Sequence, residues 1–265
     1  MFQTITHPTD LSPENLPAFE HALRLALLNK SRFTMLNVKR VGEGGSWDSF
    51  PEVRETMARW RFLSPVAERH DVLEQTGVAV RKFHLEADDV LDELIDFLLE
   101  EPTDLLVMAS HGRAGFEALF HPSIATRLAH VTMMNTLVFG PHARAFVDSA
   151  TGSHDRIKTV LVPVDHSPLA NRALETLDAL AHNLDVEFDY LHVGDKAPVL
   201  NGEKGLRHVR TLKGPVVDTI LAEAEHADLI ALPMVGSGTL LDALRGRTTE
   251  RVIREASRPV LVVPA

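Results

Sequence analysis

The chain has 265 residues, of which 45% are hydrophobic and 24% charged, a balance typical of a soluble globular protein with one large or two medium domains. Its formal net charge of −10 argues against a nucleic-acid partner, because phosphate binding needs clustered lysine and arginine. The absence of cysteine excludes disulfides, thiolate catalysis and cysteine-based metal sites. No secretory signal or apolar run of membrane-spanning length is recognisable, so we expect a cytoplasmic protein with no membrane partner.

The first half of the chain alternates short apolar runs with amphipathic helices. The first run ends at Asp10, and Ser12 and Pro13 then have the residue types of a helix start. Apolar residues recur at helical spacing after it, at Leu16, Phe19, Leu23 and Ala26. Strands are predicted over residues 2–9, 31–38, 78–85, 104–109 and 136–140, and further helices over 51–74, 88–101 and 124–130.

The second half repeats this order. Residues 157–168 (IKTVLVPVDHSP) correspond to residues 2–13 (FQTITHPTDLSP), so Asp165 is the counterpart of Asp10. Strands are predicted over residues 159–163, 186–193, 207–212, 228–232 and 259–263, and helices from Ser167, over 215–226 and near 249–256. The second copy lacks a counterpart of the 51–74 helix.

Strands that alternate with helices predict parallel sheets covered on both faces. We therefore predict two tandem doubly wound, Rossmann-like α/β domains, residues 1–140 and 157–265, joined by a polar linker at 141–156. Ligands bind such sheets at the carboxyl ends of the strands, which places Asp10 and Asp165 at the candidate sites.

The chain resembles the universal stress protein family in its tandem two-domain form. The segments that carry the resemblance are 8–12 (PTDLS), 162–167 (VPVDHS), 104–113 (DLLVMASHGR) and 251–263 (RVIREASRPVLVV). The resemblance implies a stress-response protein and, in ATP-binding members, a G-x-x-G-x₉-G-[ST] loop whose N–H groups hold phosphates. It also implies that the aspartate meets the ribose, and that the backbone near Val38 or Val193 meets the adenine. In this family, domains are expected to pair through their last strands. The strands predicted over 136–140 and 259–263 are short and apolar, so we predict that they pair within the chain as an intramolecular pseudo-dimer.

Neither copy keeps that loop intact. In the first copy the four motif positions hold Ala109, Gly112, Pro122 and Ser123. In the second they hold Pro233, Gly236, Gly246 and Arg247. The proline at position 122 removes a backbone N–H, whereas an arginine at position 247 can pair with a phosphate. The second copy is therefore the better candidate for a nucleotide site.

The predicted site residues follow from this comparison. In the second copy they are Pro163, Val164, Asp165, Val193, Gly236, Ser237, Gly246, Arg247 and Thr248. A weaker first-copy site comprises Thr9, Asp10, Val38, His111, Gly112 and Ser123. The expected ligand is ATP or AMP, with Mg²⁺ accompanying it. Each aspartate can instead brace its own turn, and each glycine can serve its turn alone. No histidine pair stands at zinc spacing, so no metal site is predicted.

Three functions fit the sequence. The first is a non-catalytic stress-response module that binds an adenine nucleotide in at least one domain. The second is a module with degenerate sites that binds no nucleotide and acts through a protein partner or as a homodimer. The third is a slow ATP hydrolase. The sequence shows no P-loop, no G-x-S-x-G elbow and no arranged nucleophile, so no catalytic residue is predicted.

Overall fold

The computed structural model describes residues 2–43, 47–101, 103–110, 122–166, 174, 176–178, 186–202, 205–234 and 240–264. The chain forms two compact units. Unit 1 comprises Met1–Ile124 and Ala145–Asp155, and unit 2 comprises Ala125–Arg144 and Arg156–Ala265.

Unit 1 is built on four parallel strands in the order β4-β1-β2-β3. The strands are β1 (Thr4–Pro8), β2 (Arg32–Arg40), β3 (Ala79–Ala87) and β4 (Leu105–Ala109). The helices are α1 (Leu16–Asn29), α2 (Val53–Arg59), α3 (Asp71–Thr76) and α4 (Val90–Glu100). In α1 the predicted apolar stripe is buried except at Leu16, which is 43% exposed.

Unit 2 holds a sheet in the order β10-β7-β6-β11-β12-β5, parallel except for its last pair. Its strands are β5 (Asn135–Phe139), β6 (Thr159–Pro163), β7 (Glu187–Val193), β10 (Val209–Leu212), β11 (Leu229–Met234) and β12 (Val260–Pro264). A two-residue hairpin, β8 (Asn201–Gly202) with β9 (Gly205–Leu206), stands apart. The helices are α5 (Pro122–Thr132), α6 (Val216–Ala224) and α7 (Leu240–Glu255).

The predicted α/β class with repeated, mostly parallel strands is confirmed. The strand order within each copy places the first strand between the second and the fourth, as doubly wound sheets require. The final strands of the two copies pair within the chain as predicted, since β5 lies antiparallel to β12 with Val138 opposite Val260. Both valines are fully buried, so this pairing removes an apolar edge from water.

The single helix predicted over residues 51–74 is wrong. The structure has two short helices, α2 and α3, separated by turns. Pro65 lies between the two helices and disfavours a continuous helix there, because proline lacks a backbone N–H and disfavours helical conformation in the preceding residue. Arg61 already leaves the helix with a φ of 62°.

Residues 145–155, which the sequence analysis placed in a linker, pack within unit 1. His21 Nε2 accepts hydrogen bonds from the backbone of Phe146 (2.9 Å) and Val147 (3.0 Å). The indole of Trp60 donates to Ser149 O at 2.9 Å. The segment is therefore held by side chains of α1 and of the residue that follows α2.

None of the helices in the described part of the chain is long and apolar enough to cross a membrane.

Candidate functional site

The aspartate turn of the first copy is closed by its own hydrogen bonds. Asp10 Oδ1 accepts from the backbone N–H of Ser12 at 2.9 Å and from Asn15 Nδ2 at 2.5 Å. Thr9 Oγ1 accepts from the N–H of Leu11, whose φ of 63° lies in the left-handed region. One carboxylate oxygen of Asp10 is thus committed to bracing the strand-to-helix turn, which is the structural alternative raised by its sequence.

In both units, a backbone hydrogen bond to the second strand fixes the residue that precedes the aspartate. Val164 N donates to Leu191 O at 2.8 Å, and the equivalent bond in unit 1 has a length of 2.9 Å. A polar side chain on the second strand then contacts the carbonyl of the residue before each aspartate. In unit 2 this is His192, whose Nδ1 lies 2.9 Å from Val164 O, and in unit 1 it is Asn37.

Unit 2 contains a cavity of about 250 Å³ at the carboxyl ends of β6, β7 and β11. Its lining residues are Pro163, Val164, Asp165, Leu191, His192, Val193, Val216, Ile220, Leu232, Pro233, Met234, Thr248 and Thr249. The walls are mainly aliphatic, and the half-buried Asp165 and the two threonines supply polar groups. This composition, apolar walls with a few placed polar groups, is typical of a small-molecule site.

The corresponding place in unit 1 is nearly filled. A cavity of about 10 Å³ lies among Pro8, Thr9, Leu36, Val38, Val90, Leu94 and Met108. These residues match the lining of unit 2 closely in type, for example Leu94 against Ile220. Only the second copy has room for a ligand at this position among the described residues.

A family model for the universal stress protein family matches residues 1–139, 156–213 and 199–264. The chain belongs to this family. A universal stress protein from Archaeoglobus fulgidus is 21% identical, with a TM-score of 0.63 over 99% of this chain and 96% of its own. A protein of unknown function from Pseudomonas aeruginosa is 15% identical, with a TM-score of 0.63 over 99% and 92% of the two chains. No curated protein matches in sequence. At these identities the structural likeness establishes the fold alone.

The structure places five of the predicted second-copy residues of this universal stress protein around one cavity. They are Pro163, Val164, Asp165, Val193 and Thr248. Gly236 and Ser237 lie outside the described residues, as do His111 and Gly112 of the first copy and the side chain of Ser123. Thr9 and Val38 line the small cavity of unit 1.

The structure differs from the predicted phosphate-binding loop at the loop's C-terminal end. The helix expected near residues 249–256 begins at Leu240, so Gly246 and Arg247 lie inside α7 and not at its N-terminus. Backbone N–H groups inside a helix already donate to carbonyls four residues back, so they are not available to a phosphate. The Arg247 side chain is exposed.

His192 is a site residue that sequence reasoning missed. Its ring is 8% exposed, lines the cavity and packs edge-on to the His166 ring at 4.9 Å between centroids. Gly194 makes room for it, because a Cβ at that position would overlap the imidazole. The sequence signal was the small residue two positions after a histidine on a predicted strand. Among the described residues, no group of three metal-binding side chains forms.

Proposed function

We propose that unit 2 binds an adenine nucleotide, ATP or AMP, in the 250 Å³ cavity at the carboxyl ends of β6, β7 and β11. The observation that carries the proposal is the contrast between this cavity and its 10 Å³ counterpart in unit 1. Both copies have the same fold and an aspartate after the first strand, but only the second has an open switch-point cavity among the described residues. In doubly wound sheets this is where ligands bind.

The lining residues suit a nucleoside. Aliphatic side chains such as Val193 and Leu232 offer flat apolar contact to a purine ring, and Asp165 at the end of β6 can accept hydrogen bonds from ribose hydroxyls. The volume lies slightly below the ~300–1,000 Å³ of sites for drug-sized ligands, so the base and ribose would occupy the cavity and the phosphates would extend beyond it. Thr248 and Thr249 would contact the ligand through their hydroxyls.

We propose a non-catalytic role for this binding in the cytoplasmic stress response. Gly236, Ser237 and the exposed side chain of Arg247 remain proposed phosphate contacts on sequence grounds, with Mg²⁺ carried by the phosphates, whereas Gly246 is no longer proposed because it lies inside α7. A homodimer and a protein partner also remain proposals, which light scattering of the purified protein and affinity capture would address separately.

Isothermal titration with AMP and with ATP–Mg tests the proposal. Asp165→Asn should weaken binding at least about tenfold, because a hydrogen bond to a charged group contributes about 1.5–3 kcal/mol. Asp10→Asn is the matched control in the first copy and should leave the affinity within about twofold. Absence of heat and of thermal stabilisation at millimolar nucleotide would overturn the proposal, as would equal effects of the two substitutions.

A second function is favoured by the course of α7. Gly246 and Arg247 lie inside this helix and not in the loop where the family motif would place them. A degenerate module that acts only through contacts with another protein would explain that loss. Protein that retains nucleotide through gel filtration would refute this alternative.

A further inference from the structure

Unit 1 contains a second, larger concavity that lies away from the switch point. It has a volume of about 940 Å³ and lies between residues 52–54 at the start of α2, residues 69–74 around α3, and residues 78–82 leading into β3. Its first two walls come from the insertion that the second copy lacks. In unit 2 the chain between β7 and β10 instead contains the short β8–β9 hairpin. Among the described residues, the groove is therefore a feature of the first copy.

Three cationic side chains line this groove, which we call the cationic groove: Arg54, Arg69 and Lys82. None of them forms an ion pair with a carboxylate of the described residues, although the protein as a whole carries a net charge of −10. Lys82 Nζ lies 3.5 Å from Pro51 O and 5.5 Å from the centroid of the Phe50 ring. These two contacts hold the amine beside the groove without neutralising it.

Acidic side chains and one histidine also lie in or next to the cationic groove, and they do not cancel its positive charge. Glu52 and Glu74 also line the groove, and both are exposed. His70 lies 3.7 Å from a carboxylate oxygen of Glu68 and 3.5 Å from one of Asp71. Glu68 and Asp71 contact His70 but do not line the groove. Among the described lining residues three cations face two carboxylates, an excess of one positive charge that matches a ligand with one anionic group.

The remaining lining is aliphatic. Val53, Val72 and Val78 are buried, and Val80 continues this apolar surface along β3. Leu73 of α3 is 55% exposed. An apolar floor beside a cluster of cations suits a molecule that has an apolar body and an anionic head.

The cations also influence one another electrostatically. Burial lowers the pKa of Lys82 below its ordinary value; Glu52 opposes this shift, and Arg69 and Arg54 add to it. The repulsion among like charges is therefore already present in the folded protein. An anion bound between them would relieve that repulsion and stabilise the charged amine.

We propose that the cationic groove binds a small organic anion whose carboxylate, sulfonate or phosphate monoester head meets Arg69 and Lys82 and whose apolar body lies on the valines. Its volume of about 940 Å³ falls within the ~300–1,000 Å³ of small-molecule sites. The groove is lined entirely by unit 1 residues, so this binding does not depend on the nucleotide proposed for unit 2.

Fluorescence titration with 8-anilinonaphthalene-1-sulfonate, an aromatic sulfonate, tests the proposal. We expect saturable binding that weakens about tenfold or more in Lys82→Gln and in Arg69→Gln, because each removes a charge-assisted contact. Arg40→Gln, which changes an exposed arginine of β2 that does not line the groove, should leave the affinity within about twofold. Circular dichroism would establish that each variant is folded. Arg69 is exposed, so its substitution tests the groove independently of the partly buried Lys82.

Two results would overturn the proposal. The first is an unchanged affinity in both Lys82→Gln and Arg69→Gln. The second is full displacement of the probe by AMP together with loss of probe binding in Asp165→Asn, which would place the probe in the cavity of unit 2. Retention of probe binding in Asp165→Asn, with loss in the two groove variants, supports it.

Discussion

His21 shows how one buried side chain can hold a distant part of the chain. Its Nδ1 lies 2.5 Å from Pro17 O and donates to it, which leaves Nε2 as the acceptor for the N–H groups of Phe146 and Val147. The ring also meets the Phe146 ring edge-on at 4.3 Å. A proton on Nε2 would face two N–H donors, so this arrangement requires the neutral imidazole.

The stability of unit 1 should therefore depend on pH. Burial lowers the pKa of His21 from 6.5 to about 4. Between these values the unfolded chain binds a proton that the folded state does not, so the free energy of unfolding falls as pH decreases from about 6.5 towards 4. The shift corresponds to about 3 kcal/mol for this residue, and the buried His7, whose pKa burial also lowers to about 4, adds to it.

Urea unfolding at several pH values between 7 and 4 measures this effect. His21→Gln should flatten the pH dependence, whereas His226→Gln, at an exposed position, should preserve it. A pH profile that is identical in His21→Gln and the parent protein would contradict the assignment.

Gly152 is required by a close approach to an aromatic ring. Its φ is +64°, and a Cβ there would overlap the indole of Trp60. Gly152→Ala should lower the free energy of unfolding by about 2–4 kcal/mol, from the unfavourable φ together with the clash. Gly42→Ala shares the positive φ but meets no atom within 4 Å, so it should cost about 1 kcal/mol or less. Equal losses in chemical denaturation would show that the clash is relieved without cost.

At the level of elements, each sheet begins with the same carboxylate clamp. Asp104 Oδ2 accepts from the N–H groups of Gln3 and Thr4, at 2.7 and 2.9 Å. Asp228 Oδ2 accepts in the same way from Lys158 and Thr159, at 2.8 and 3.0 Å. Each clamp ties the start of the first strand to the start of the fourth, and thus supports the register that carries the site.

Removal of either clamp should destabilise its own unit. Burial alone would raise the pKa of Asp228, but the two N–H donors together with the charges of Arg258 and Lys158 lower it overall, as expected for a carboxylate that serves the fold in its charged form. Asp104→Ala and Asp228→Ala should each cost about 1–3 kcal/mol, because two backbone donors lose their partner. Asp195→Ala, which breaks an ion pair between side chains that are 86% and 81% exposed, should cost under about 0.5 kcal/mol. Denaturant unfolding with a probe in each unit would separate the effects, and a loss no larger than that of the control would contradict this role.

Sequence patterns were sufficient to predict some of the strands and were insufficient for two of the helices. Buried apolar runs such as β4 and β12 were recognised because every residue in them is buried. The 51–74 helix was predicted from its residue types, and the effect of Pro65 was not recognised. The start of α7 was also missed, since Gly246 and Arg247 resemble a loop in the family motif although they lie within a helix here. Tertiary packing overrides such local signals.

At the scale of the whole molecule, the two copies respond differently to the same ligand if the proposed function holds. AMP should slow amide hydrogen exchange in β6, β7 and β11, which border the larger cavity, and should leave exchange in β1 and β2 unchanged. Exchange measured by mass spectrometry at saturating AMP checks this expectation. Equal protection of both sets of strands would contradict a site confined to unit 2.

The family resemblance implied the pairing of the last strands. The sequence by itself determined the repeat, the α/β class and the position of both aspartates at strand ends. These features follow from hydrophobic periodicity and turn chemistry, which are local. Only the tertiary structure decided that the cavity of unit 2 is open while that of unit 1 is nearly filled. Each cavity is bordered by several elements that are far apart in the chain, and a local sequence pattern does not encode how closely such elements pack. The contacts of residues 145–155 with His21 and Trp60 were equally hidden, because each joins residues far apart in the chain.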